Sequence, residues 1–334
     1  MTTREIRLQE SMFELVASEA SYLRSLGVAA NHFYASGALR RTLSRVEHHG
    51  LFSNILGVMA ASQHFLLDLE ARLERSVIIP QVGDVVLQHC PAFRRLYMPY
   101  VTNMMYQEAL VDQLLQQNRA FSSLVRKLES EPVCQRQSLK SFLVLPFQRI
   151  TRIKLILENI LKLTEPGSDT IGDLEGAVEA IHEIVVSCDA RVRRMKQVEE
   201  LICLDARIDF GSIKAVPLIV GGRFLVREGP VRQLCVEPSS RVSLADVHLH
   251  LFSDLLIIST HRDQRFTVTD HAAFPAHVHV EHLKPQSLGL PADSFLLHLS
   301  RSQNGHPTAM ILVAPTRSDK EMWITALSNK VKET

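Results

Sequence analysis

The stretch from Leu139 to Leu161 offers the most chemistry per residue: Leu-Lys-Ser-Phe-Leu-Val-Leu-Pro-Phe-Gln-Arg-Ile-Thr-Arg-Ile-Lys-Leu-Ile-Leu-Glu-Asn-Ile-Leu. On a helix of about 3.6 residues per turn, Leu139, Leu143, Ile150, Ile153, Leu157 and Leu161 share one face, the expected core stripe. The opposite face carries Gln148, Arg152, Leu155 and Asn159, with Leu145 and Ile156 at its margins. A face meant only for water has no need of large aliphatics beside an arginine and two amides. The mixture suits a protein-binding surface, with apolar anchors among directional polar groups. The plainer reading of the same pattern is a helix buried on both sides inside a bundle.

A second chemical anomaly lies near the N-terminus. With Glu19 as the reference on the helical wheel, Leu8, Met12, Leu15, Val16, Tyr22, Leu23 and Leu26 fall within roughly 60° of it. Burying an unpaired carboxylate costs several kcal/mol, so Glu19 must be paired, solvated or awaiting a partner. The alternatives are a salt bridge to an arginine of a neighbouring helix and an acceptor aimed at another protein.

Other chemistries find little support. The chain has no Gly-x-x-x-x-Gly-Lys, no Gly-x-Gly-x-x-Gly and no Gly-x-Ser-x-Gly, so it should bind no nucleotide of its own and form no acyl intermediate. His182-Glu183 lacks the second histidine of a zinc protease motif. His248 with His250, and His277 with His279, share strand faces at a spacing that could ligate zinc. No cysteine or carboxylate ligand stands close in sequence to complete either set. Solvent-facing strand histidines, with no metal and no cofactor, are the expectation.

The elements that must position these groups divide the chain. Helical periodicity runs through Arg4 to Tyr34 and through 51–75, 82–89, 92–129, 139–161 and 173–204, with Pro80, Pro91, Pro132 and Glu165-Pro166-Gly167 as stops. After about residue 213 the texture becomes short β-branched or alternating runs: 223–227, 231–236, 247–252, 255–259, 265–269, 277–281, 294–300 and 308–313. One helix follows, over 318–330, with Ser318 and Glu321 as its capping box and Trp323, the single tryptophan, inside it. The expectation is an elongated all-α bundle over 1–205, then a seven-stranded β-barrel or sandwich over 206–334 capped by a C-terminal helix.

Composition bounds the partners. The 334 residues carry 37 basic and 36 acidic side chains, 14 and 12 of them after residue 205, so no global field favours nucleic acid. The five cysteines are widely spaced and include no Cys-x-x-Cys, which suits reduced thiols in the cytosol. No apolar run stands out as a membrane span. The chain starts inside a helical pattern and stops almost at the end of another, as a piece of a longer protein would.

Two motifs carry a family resemblance. Glu14-Leu-Val-Ala-Ser-Glu19-Ala-Ser-Tyr22-Leu-Arg-Ser-Leu26 resembles the first conserved region of Dbl-homology domains, and Pro146-Phe-Gln148-Arg149-Ile-Thr-Arg152 resembles their Pro-x-Gln-Arg-Ile-Thr-Lys core. Leu145 to Arg152, and Met195-Lys-Gln-Val-Glu-Glu-Leu, are similar to the ephexin branch. Leu251-Phe-Ser-Asp254-Leu-Leu-Ile and Trp323 resemble the strand–turn–strand signature and C-terminal helix of the pleckstrin-homology domain that follows in that family. The resemblance spans essentially the whole chain.

It implies a guanine-nucleotide exchange factor for a Rho-family GTPase, with RhoA favoured over Rac or Cdc-type proteins and no covalent chemistry. On that implication Glu19 contacts switch I, while Arg152 and Leu155 meet switch II, with Gln148, Ile156, Asn159 and Asp189 beside them. Asp189 stands where the family has asparagine, and Arg152 where it has lysine. An aspartate only accepts hydrogen bonds, and Arg193, four residues on, could capture it. This leaves a second reading, a scaffold of the same two-domain form that binds GTPases or membrane partners without efficient exchange. The phosphoinositide site implied for the second domain would rest on Arg223, Arg227 and Arg232, a thin cluster with Glu228 among them. A cytoplasmic monomer, recruited at times to the plasma membrane, completes the expectation.

Overall fold

The computed structural model describes residues 1–236, 242–283 and 289–328. The chain divides into two compact units, Met1–Arg193 and Arg194–Thr334.

The first unit is helical. Helix α1 (Thr3–Gly27) begins at a capping box, Thr2 accepting from the Glu5 amide while Glu5 accepts from the Thr2 amide at 2.6 Å. It passes into a π-helical turn over Val28–Tyr34 and is followed by α2 (Gly37–Arg41), α3 (Arg45–Phe52), α4 (Ile55–Arg75), α5 (Gly83–Gln117) and α6 (Arg119–Glu129). Short α7 (Leu139–Leu143), then α8 (Leu145–Leu163) and α9 (Ile171–Asp205), complete the series. The boundary between the units falls within α9.

Several expected boundaries moved. Pro91 does not stop a helix: α5 runs through both Pro91 and Pro99. Its buried His89, Cys90, Phe93, Tyr97 and Tyr100 hold it to the core, and packing of that face outweighs the lost amide donors. The break comes instead at Asn118, whose side chain caps α6 by accepting from the Phe121 amide at 3.0 Å. Val144 separates α7 from α8, and Pro146 sits in the first turn of α8, where its missing N–H leaves no bond unmade. Residues 45–75 are long and apolar enough in composition to cross a membrane, which the sequence reading overlooked. Ser53, at φ 48°, divides them into two helices. Val58, Phe65 and Leu69 fill the core.

The second unit is a sheet closed by a helix. Its strands are β1 (Ile208–Asp209), β2 (Leu225–Val236), β3 (Val242–Phe252), β4 (Leu255–Arg262), β5 (Arg265–Ala273), β6 (Val278–Glu281), β7 (Ser294–Leu299) and β8 (Thr308–Val313). They lie in the order β1-β5-β4-β3-β2-β8-β7-β6, antiparallel except for the short β1, which runs parallel to β5. The two expected runs 223–227 and 231–236 are one strand, carried through Pro230. The closing helix α10 (Arg317–Ser328) sends Trp323, Ile324 and Leu327 into the sheet's core. Its cap is Thr316, which accepts from the Asp319 amide at 3.1 Å, and not Ser318, because Glu321 is drawn to Arg317 at 3.2 Å. The expected end at residue 330 lies outside the described residues.

Strand alternation gives β3 two faces. Val247, Leu249 and Leu251 enter the core with Trp323. Phe252 points the other way, into a second cluster with Ile257, Phe266, Leu201 and Leu204. His248 and His250 share that second face, and His250 is fully buried there. Burial pushes the His250 imidazole down to about 3 and the His248 imidazole down to about 4, so both are neutral at pH 7.

One close approach in the helical unit is testable. A Cβ added at Gly83 would meet the Leu174 backbone at 2.7 Å, whereas one at Gly176 would meet only the Leu87 side chain at 3.7 Å. Gly83→Ala should therefore destabilise the helical unit by about 1–3 kcal/mol, in spite of alanine's better helix propensity. Urea unfolding followed by far-ultraviolet dichroism should show it, with Gly176→Ala unchanged or slightly stabilised.

Candidate functional site

Helices α1 and α8 pack antiparallel, and their contacts form a ladder. Arg4 donates to the carbonyls of Leu163 and Thr164 at 2.8 Å each. Next comes Asn159, donating to the Ser11 hydroxyl at 2.8 Å, then Arg152 to Glu14 at 3.0 Å. The last rung is Arg149, which bonds Glu19 at 2.7 Å, the Ser18 hydroxyl at 2.7 Å and the Leu15 carbonyl at 3.2 Å.

The last two rungs differ in kind. Arg149 and Glu19 are only 2% and 1% exposed, whereas Arg152 and Glu14 are 59% and 49% exposed. Glu19 also accepts from the Ser62 hydroxyl of α4, so one carboxylate ties three helices together. Burial pushes the Glu19 carboxyl up, while the Arg149 guanidinium and the Ser62 hydroxyl pull it back. Arg149 satisfies its remaining donors on α1 and lies 6.0 Å from the Tyr22 ring centre.

This corrects the expectation for Glu19. It is not an acceptor offered to a partner: no solvent reaches it and its oxygens are already taken. The acid at the surface is Glu14, five residues earlier. Sequence reasoning passed over it because an acid on the polar side of an amphipathic helix looks like any solvated residue. The pairing of α1 with α8 is what sets it against Arg152.

The other expected residues divide by the same criterion. Gln148, Arg152, Leu155 and Asn159 are exposed along one stripe of α8, and Leu155 is 63% exposed. Ile156 is 5% exposed and packs in the helical core, because one residue past Leu155 turns the side chain by about 100°. Asp189 is exposed on α9 and makes no ion pair with Arg193 among the described residues. The stripe thus joins an apolar anchor to an amide, an arginine and an acid, all held on rigid helices.

The basic cluster expected in the second unit is not assembled. Arg223 is 8% exposed, binds both oxygens of Asp254 at 2.6 and 2.8 Å, and donates to the Pro217 carbonyl at 2.6 Å. Arg227 pairs with Asp319 at 3.0 Å and lies 5.0 Å over the Trp323 ring. Only Arg232 of the three is exposed. Two arginines paired with acids inside the fold have their charge already matched there rather than presented to a phosphate.

The buried and exposed pairs make opposite predictions for stability. Arg149→Met should destabilise the helical unit by about 3–5 kcal/mol, because it strands a buried carboxylate. The double change Glu19→Leu with Arg149→Met should recover much of that loss. Glu14→Ala should change stability by no more than about 1 kcal/mol. Chemical denaturation of the four proteins side by side measures all three.

Comparison with known proteins adds a family to this geometry. A model of the RhoGEF domain matches residues 11–189. The chain is 44% identical over 333 residues to mouse (Mus musculus) Rho guanine nucleotide exchange factor 5, covering 98% of this chain and 21% of that protein. It is 38% identical over 330 residues to rat (Rattus norvegicus) Ephexin-1, covering 97% and 47%. The chain therefore spans less than half the length of these relatives. Among solved structures, the DH/PH domains of PDZ-RhoGEF in complex with activated RhoA superpose with a TM-score of 0.78 at 23% identity, covering 98% of this chain and 94% of that one. The DH/PH domains of p115-RhoGEF superpose with a TM-score of 0.79 at 21% identity, with the same coverage. These likenesses fix the fold as a DH/PH tandem, a helical DH domain followed by a strand-rich PH domain with a C-terminal helix.

Proposed function

The chain belongs to the RhoGEF domain family, and from that premise we propose that it accelerates GDP release from a Rho-family GTPase through the exposed stripe of α1 and α8. Glu14, Arg152 and Leu155 are the principal contacts, with Gln148, Asn159 and Asp189 beside them. The observation that carries this reading is the pairing of an exposed, exchangeable ion pair with an exposed leucine on a buried, fully satisfied frame.

Exchange of this kind needs no covalent step. The protein must bind the nucleotide-free GTPase better than the nucleotide-bound form, and linkage makes the two ligands weaken each other by the same factor. Moving such an equilibrium from 1:99 to 99:1 takes a differential of about 5.5 kcal/mol. No single surface contact supplies that, but a desolvated carboxylate, an arginine and a leucine anchor together are of the right size. The Glu14–Arg152 pair suits the task because an exposed pair is worth only about 0–1 kcal/mol. Each member can leave the other for an oppositely charged group on the GTPase at little loss. Glu14 would then engage switch I, while Arg152 and Leu155 would meet switch II.

RhoA is the favoured partner in this proposal. In the PDZ-RhoGEF DH/PH complexes the bound protein is RhoA. Sites of action in the cytoplasm and at the plasma membrane follow from such a substrate, and the internal pairing of Arg223 and Arg227 argues against strong phosphoinositide binding by the PH domain.

Release of a fluorescent GDP analogue from RhoA tests the reading, with Rac and a Cdc-type GTPase alongside. Glu14→Ala and Leu155→Ala should each slow accelerated release at least ~10-fold, as loss of a binding hot spot does, without moving the thermal midpoint. Release that persists at the parent rate in both variants would remove this stripe from the mechanism. Asp189→Asn should keep or raise the rate.

A further inference from the structure

The outer face of β3 carries a cluster that exchange does not use. Glu228 on β2 stands directly across from His250 on β3, and Pro230 across from His248. Because cross-strand partners share a face, Glu228, His248 and His250 converge on one spot. A Glu228 carboxylate oxygen lies 3.2 Å from His250 Nε2 and 4.0 Å from His248 Nε2, and all three ligand atoms lie within 4.8 Å of one another. Four ligands about 2.0–2.1 Å from a tetrahedral zinc ion sit roughly 3.3 Å apart, so one edge of such a polyhedron is already formed.

Hydrogen bonding does not account for the cluster. His250 is fully buried, yet among the described residues neither of its ring nitrogens has a hydrogen-bond partner, and the buried Nε2 of His248 has none either. Buried polar atoms left in this way call for an explanation such as an unseen ion. Both imidazoles are neutral at pH 7, the form that offers a lone pair to a cation. Access is open as well: His248 and the exposed His261 line a cleft of about 560 Å³ with Pro230, Arg232, Asp246 and Pro315.

We infer that Glu228, His248 and His250 form a site for a zinc-type divalent cation, with its fourth coordination position facing this cleft. The surrounding charges pull in both directions. Arg207, its guanidinium 4.8 Å over the Phe266 ring, acts on both histidines and opposes a cation. Glu228 and Glu200 favour one: Glu200 is close enough to feel the Glu228 charge, which adds to burial in pushing the Glu200 carboxyl up. Two carboxylates offset the dication's own charge, and Arg207 leaves one positive charge over at this half-buried site. The ion would cross-link β2 to β3 on the face where Leu201 and Leu204 of α9 pack.

The site was passed over in sequence because its third ligand is twenty residues away. Local spacing supplied only two histidines, expected at the surface. Pairing of β2 with β3 brings the carboxylate.

Titration of the chelator-stripped full chain with Zn2+ by calorimetry, and with Co2+ by visible absorption, tests the inference. One equivalent should bind, and Co2+ should give the intense visible band of a tetrahedral site. Glu228→Gln and His248→Gln should each weaken binding by more than ~100-fold, beyond the roughly 10–100-fold that loss of an outer-shell partner typically costs. His279→Gln, on another strand, should leave it unchanged. Absence of a saturable equivalent, or equal binding by the Glu228→Gln/His248→Gln double variant, overturns the site. If that double variant does not fold, the parent's histidine proton resonances decide. Zn2+ must shift those of His248 and His250, and a shift confined to His279 or other exposed histidines overturns the inference.

Discussion

The buried pair of Glu19 with Arg149 is the constraint on which the helical domain's surface depends. Two opposite charges, neither reached by solvent, stay buried only if each is matched in position as well as sign. The matching partners come from separate parts of the chain: Ser62 on α4 for the carboxylate, Ser18 and the Leu15 carbonyl on α1 for the guanidinium. Sliding or rotating α8 against α1 would strand one of the charges. The pair therefore fixes the register of the two helices more sharply than aliphatic packing, which tolerates small slips.

That register decides what the surface offers. Three residues beyond Arg149 along α8 is Arg152, and five before Glu19 along α1 is Glu14, so the same alignment that satisfies the buried pair brings the exposed pair to 3.0 Å. Buried and exposed rungs have divided their work. The inner one is committed, because any exchange of partners would leave a desolvated charge. The outer one is free to exchange, because it is exposed and water can replace its contacts. Leu155 adds apolar area on the same stripe, and Ile156, one residue on, is held in the core.

The PH domain shows the same sorting of charged groups by burial. Arg223 and Arg227 read as a lipid-binding cluster along the chain, but the turn after β3 presents Asp254 to one and the closing helix presents Asp319 to the other. Once paired internally they brace the segment before β2 to that turn, and β2 to the closing helix. His250 moved in the opposite direction, from expected solvent exposure to full burial, and His248 is half-buried beside it. They share the face of β3 that Phe252 carries into the cluster formed with the end of α9.

Local periodicity alone was enough to specify the two-domain plan, the core stripe of α8 and the closing helix. Helical and strand repeats act over a few residues, and Leu139, Ile150, Ile153, Leu157 and Trp323 are buried as their spacing required. It also marked Glu19 as misplaced, correctly, since a carboxylate among leucines is anomalous on any helix. What periodicity could not carry was the identity of each partner. Arg149 lies 130 residues from Glu19, Arg152 lies 138 from Glu14, and Asp254 lies 31 from Arg223. Whether a charged residue on a helix or strand becomes a frame or a contact depends on what another element sets opposite it, and only the tertiary structure decides that. Such pairings act over a few ångströms in space and leave no regular spacing along the chain.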